Sequence, residues 1–160
     1  MTLNLVQGDI TLSRADAIVF AHNARGRTEL GPVETRLRQR NPAAFSAYAR
    51  RCRADRQPLG SFWVWTATRP LLVFLTVRPS SVSSVRVRLV QSALQRLANE
   101  IHFYPIRRLS VAPLAPGAEM PLVLPVVQET LAPLARLMLI TIYTADIPGA
   151  DAESTDQFSG

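Results

Sequence analysis

Apolar and polar positions fall in short, regular blocks. Leu3-Asn4-Leu5-Val6 alternates and stops at Gly8, which predicts a short strand. Ala17 to Ala21 is an unbroken apolar run, the pattern of a strand buried on both faces. A polar loop from His22 to Gly31 follows, with Gly26 inside it. Pro32 then stands where the first turn of a helix tolerates proline. This predicts a helix through Val33 to Arg40 that breaks at Asn41-Pro42. Pro42 opens a second helix, with Phe45, Tyr48, Ala49 and Cys52 at helical spacing, and Leu59-Gly60 ends that segment.

Ser61 to Thr66 and Leu71 to Thr76 predict two strands joined through Thr68-Arg69-Pro70. Val82 to Ile101 sets Val85, Leu89, Val90, Ala93, Leu94, Leu97 and Ile101 on one stripe of a long amphipathic helix. Leu109 to Ala112 is another strand, and Pro113 to Pro121 a loop. Leu122 to Leu134 predicts a helix with Pro125 in its first turn and Pro133 near its end. Leu137 to Thr144 closes the series as a strand. The alternation predicts an α/β fold, a three-layer α/β/α sandwich with a central mixed sheet. The domain is expected over residues 1–146, with an acidic, flexible tail over 147–160. Ligands in such sheets sit beyond the carboxyl ends of strands. That singles out three loops: Gly8-Asp9-Ile10, Ala21 to Gly31, and Pro113 to Met120.

Composition narrows the chemistry. The 160 residues are 48% hydrophobic and 19% charged, enough apolar material for one domain with a core. Cys52 is the single cysteine, so an internal disulfide framework and a multi-Cys zinc site are excluded. With only His22 and His102 added, no metal centre and no cofactor are implied. No uncharged apolar run reaches the ~18 residues of a membrane span. Met1 leads straight into a strand pattern, so the expected setting is cytoplasmic. No Gly-x-Ser-x-Gly elbow, Walker A or Gly-x-Gly-x-x-Gly motif occurs.

All 18 cationic residues are arginine. Residues 1–110 hold 17 of them against six acids, a net charge of +11, while residues 111–160 carry a net −5. Arg36, Arg38, Arg40, Arg50, Arg51, Arg53 and Arg56 crowd the two predicted helices. Such a tract suits an anionic partner, a weak nucleic-acid contact or a phosphorylated ligand, and suits a solvated face equally well.

The stretch Leu5-Val6-Gln7-Gly8-Asp9-Ile10-Thr11, with Ala15-Asp16-Ala17-Ile18-Val19 and Asn23, resembles the opening of a macrodomain. Gly31 before a helix, Phe45-Ser46-Ala47-Tyr48, Leu59-Gly60, the strand Val73 to Thr76, and Pro113 after a strand continue the likeness over residues 3–146. The layout is most similar to the branch holding the DNA ADP-ribosyl glycohydrolase antitoxins and the terminal ADP-ribose glycohydrolase. The resemblance implies a pocket for ADP-ribose or a related nucleotide. Asp9 would accept from the adenine amino group while the Ile10 amide meets the ring, and a turn or helix-cap role is the alternative for Asp9. Asn23 would touch the distal ribose or serve an Asx turn. Gly31 would let backbone approach the diphosphate. Pro113, Ala115, Gly117, Ala118 and Glu119 would form the second phosphate loop, in which Pro116 lacks an N–H and Glu119 adds negative charge. Tyr143 would pack near adenine or in the core.

The resembling hydrolases place a lysine after the threonine of the middle strand and an acid in the second loop. Those positions are Val77 and Met120 here, and Phe20 replaces a frequent asparagine. Arg78 stays protonated and cannot serve as a nucleophilic amine. The expectation is a binding module without the known hydrolase groups. A divergent glycohydrolase using Glu119 or Glu29, acting on modified DNA or protein, is the alternative, and a degenerate scaffold for protein or nucleic-acid interaction is a third.

Overall fold

A computed structural model describes residues 2–55 and 57–145. The predicted tail and Arg56 lie outside the described residues. Among the described residues six strands form one sheet: β1 (Leu3–Val6), β2 (Ala17–Asn23), β3 (Ser61–Trp65), β4 (Leu71–Arg78), β5 (Arg108–Val111) and β6 (Leu139–Tyr143). Their order is β1-β6-β5-β2-β4-β3, all neighbours parallel except the antiparallel β3–β4 edge pair. The sheet is therefore mixed. Four helices flank it: α1 (Pro32–Arg40), α2 (Pro42–Asp55), α3 (Val87–Glu100) and α4 (Met120–Leu131). No helix among the described residues is long and apolar enough to cross a membrane.

Strand alternation sorts the core into two halves. Ala17 and Val19 of β2 and Leu71, Val73, Leu75 and Val77 of β4 face α3 and α4. Ile18 and Phe20, with Leu72 and Phe74, face α1 and α2. There Phe20, Phe45, Tyr48 and Phe74 form an aromatic cluster, with Tyr48 stacked on Phe74 at 4.5 Å. The unbroken apolar runs of β2 and β4 follow from burial on both faces.

Several boundaries differ from the sequence pattern. β2 runs to Asn23 and β4 to Arg78, where the pattern ends them at Ala21 and Thr76, and β6 starts at Leu139 rather than Leu137. The third helix begins at Val87 rather than Val82, because Ser80 and Ser83 close a turn through both hydroxyls and backbone. The last helix starts two residues earlier than expected, at Met120, which puts Pro121 in its first turn and Pro125 inside it. Past Leu131 it tightens into a 3-10 turn over Ala132–Arg136. A 3-10 turn over Ile10–Leu12, unmarked in the pattern, follows β1 and is capped by Asp9.

Candidate functional site

The connection after β2 turns toward α1 on one face of the sheet. The connection after β5 turns toward α4 on the other. β2 and β5 are neighbours, so their diverging loops open a crevice at the carboxyl edge. A cleft of about 430 Å³ occupies it. Phe20 and Ala21 of β2, Thr28 to Gly31, Val33 and Glu34 of α1, and Arg78 at the end of β4 line one part. Ser81, Val82 and Ala112 to Pro116 complete it.

The loop from Ala24 to Gly31 is shaped by Asn23, which is fully buried. Its Oδ1 accepts from the Arg25 and Arg27 amides, both at 3.1 Å. Its Nδ2 donates to Arg27 O at 2.9 Å and to Glu29 Oε1 at 3.1 Å. Gly26 in this loop has φ +67°, and a Cβ there would lie 2.7 Å from Ala49 Cα of α2. Gly26→Ala is therefore expected to lower stability by roughly 1–3 kcal/mol, read as a shift of the urea midpoint.

Two carboxylates sit at the inner end of the cleft. Glu29 Oε2 pairs with Arg78 Nη2 at 2.6 Å. Burial pushes the Glu29 carboxyl above the ordinary glutamate range, against the opposing pull of Asn23 and Arg78. Glu34 lies 3.0 Å from His22 Nε2. His22 Nδ1 accepts the Asn23 amide at 2.8 Å, which leaves Nε2 as the ring nitrogen on the Glu34 side, without a hydrogen bond between them. Tyr48 secures the floor: its hydroxyl donates to Asn23 O at 3.1 Å and meets Thr76 Oγ1 at 2.8 Å.

Of the residues singled out in sequence, Gly31, Pro113 and Ala115 line the cleft. Asn23 sits behind the wall and organises it. Asp9, Ile10 and Tyr143 gather instead where β1 and β6 end. Asp9 Oδ1 accepts from the Thr11 amide at 2.9 Å, and Oδ2 pairs with Arg36. Burial works to raise the Asp9 carboxyl, but the Thr11 hydrogen bonds and the Arg36 charge outweigh it and hold it below the usual carboxylate range. Ile10 is buried in the aromatic half of the core. Tyr143 lies beside Gly8, its hydroxyl pushed up by burial and by the Asp9 charge. Gly117 and Ala118 are exposed beyond the cleft, and Glu119 occupies the N-cap position of α4. Val77 and Met120 both point into the larger core.

The basic tract is not one free surface. Arg36 is held by Asp9, Arg40 by Thr11 O, and Arg51 by Gln57 Oε1 at 2.7 Å, while Arg38 lies 3.8 Å from Glu34. Arg50 and Arg53 are exposed.

Sequence reasoning named neither Glu34 nor Arg78 as part of a site. The pairing of β2 with β4 passes from His22–Thr76 to Asn23–Arg78, skipping Val77. Alternation along β4 puts Val77 in the core with Leu71, Val73 and Leu75, and the skipped pairing sets Arg78 opposite Asn23, at the cleft.

An α/β/α sandwich with a mixed six-stranded sheet and a crevice at its carboxyl edge defines the class. No family model matches the chain, and no curated protein matches its sequence. Solved structures do match. The macrodomain of Thermus aquaticus DarG superposes with a TM-score of 0.80 at 21% identity, over 89% of this chain and 97% of that one. The macrodomain of Mycobacterium tuberculosis DarG gives 0.75 at 19%, over 89% and 97%. Thermosipho africanus DarTG in complex with ADP-ribose gives 0.79 at 18%, over 88% of this chain and 41% of that one. The fold of this chain is the macrodomain fold.

Proposed function

We propose that this protein binds ADP-ribose, or a related nucleotide, in the cleft and lacks the hydrolase groups of the proteins it resembles. The observation that carries the reading is the position of the cleft, at the crevice between β2 and β5 with Gly31 and the Pro113–Pro116 loop on its walls. A structure of the same fold described as a complex with ADP-ribose supports the choice of ligand. The positions where the resembling hydrolases carry a lysine and an acid are Val77 and Met120, 0% and 5% exposed. Neither side chain can attack a sugar carbon or move a proton. Arg78, next to Val77, remains protonated and bound to Glu29.

Asp9 is assigned to the adenine amine, which joins Thr11 and Arg36 as a partner of its carboxylate. Asp9→Ala is expected to weaken ADP-ribose binding by about 5- to 150-fold, equivalent to ~1–3 kcal/mol, measured by calorimetric titration. Unchanged affinity would show that adenine lies elsewhere. Incubation with ADP-ribosylated DNA or protein is expected to release no ADP-ribose above the uncatalysed rate. Robust turnover by the wild-type protein would replace this reading with a divergent glycohydrolase in which Glu29 acts on the ribose.

A further inference from the structure

The cleft contains a group that nucleotide binding leaves unused. Glu34 forms part of its wall, with a side chain only 6% exposed. Neither carboxylate oxygen has a hydrogen-bond partner among the described residues. His22 Nε2 comes within 3.0 Å of Oε1 but out of line, and Arg38 Nη1 stays at 3.8 Å. A buried carboxyl with both oxygens open lacks the hydrogen bonds that offset its burial, and a ligand's donors supply them. A guanidinium supplies what is missing. Its planar fork presents two parallel N–H groups, and it keeps its charge.

Two independent features fit the same chemistry. The charged groups of the wall do not favour an anion. Glu29 and Glu34 both line the cleft, and the cation among the lining residues, Arg78, is held by Glu29. A bare diphosphate meets two carboxylates and one committed cation, and a cation carried by the ligand offsets that repulsion. The mouth is apolar as well. Leu30 and Val82, from two different loops, both line the cleft and are 92% and 93% exposed. Such lips suit a methylene stem whose charged head passes between them to a polar floor.

Resting on the reading that the cleft holds ADP-ribose, we propose that its preferred ligand is ADP-ribose joined to an arginine guanidinium, which Glu34 receives through both carboxylate oxygens. Both oxygens are buried in this structure, so receiving the guanidinium requires a change of the Glu34 rotamer.

The test is calorimetric titration of the full chain with three probes. These are free ADP-ribose, a short peptide carrying ADP-ribosyl-arginine, and the same peptide carrying ADP-ribosyl-serine, whose linkage bears no cation. The arginine-linked peptide is expected to bind at least about tenfold more tightly than the serine-linked one. Glu34→Gln should bring the two within about threefold of each other. Leu30→Ala and Val82→Ala change exposed positions and keep the proposal refutable if Glu34→Gln fails to fold. Both residues line the cleft, so each should weaken both peptides, the arginine-linked one about two- to threefold more than the serine-linked one, and equal losses would overturn the proposal. Equal affinity of the wild-type protein for the two peptides overturns the guanidinium assignment and leaves the ADP-ribose reading standing. Failure of all three probes to bind overturns both.

Discussion

Arg78→Met is expected to lower stability by about 3–5 kcal/mol, the largest effect of any single change at the cleft. Arg78 and Glu29 are 19% and 9% exposed at the side chain, so their ion pair is largely shielded from water. Removing the cation strands a buried carboxylate that keeps only Asn23 as a donor. Arg78→Met with Glu29→Leu should recover most of the loss, because no unpaired charge remains. The pH dependence has a definite sign. Burial already sets the Glu29 carboxyl above its ordinary 4.5. Between the unfolded and folded values the folded state binds more protons, so stability falls as pH rises through that window and is flat above it. Losing Arg78 raises the folded value further and widens the window. The variant's deficit should therefore shrink on acidification, measured as urea midpoints from pH 7 down to pH 5.

Asn23→Ala is the second large effect, about 2–4 kcal/mol. One fully buried amide makes four hydrogen bonds, two to backbone amides and two as a donor. Alanine leaves the Arg25 and Arg27 amides and the Glu29 carboxylate short of partners. The cost should appear in the denaturation midpoint, and ADP-ribose binding should weaken with it, since Thr28 to Gly31 are the cleft wall that this loop carries. Asn23→Asp restores the acceptors only. It removes both donors and sets a second charge against Glu29, so it should be no more stable than the alanine variant.

The layers of the fold were legible because burial writes periodicity into sequence. The apolar run of β2 and the 3.6-residue stripe of α3 both translate directly into the elements observed. The Gly-Asp-Ile segment pointed to the right kind of sandwich. Its aspartate caps a 3-10 turn and pairs with Arg36, a pairing that 27 residues of separation conceal. The cleft was less legible. Glu34 reads as an ordinary first-turn acid of a helix, where the dipole favours a carboxylate. Only the approach of β2 to α1 sets it against His22. Arg78 reads as a strand-end cation until its register opposite Asn23 brings it to Glu29, 49 residues away in sequence. Val82 reads as helix until the Ser80–Ser83 turn makes it a lip of the cleft. Each depends on contacts between distant segments, which local pattern does not encode.

Entry of a nucleotide into the crevice between β2 and β5 can be followed by titrating ADP-ribose into isotope-labelled protein and recording backbone amide resonances. Saturable shifts are expected at Gly31, Val33, Val82, Ala112, Leu114 and Ala115, with a smaller group at Asp9 and Ile10. Shifts confined to the exposed Arg50 and Arg53 of α2, or none at millimolar ligand, would contradict it.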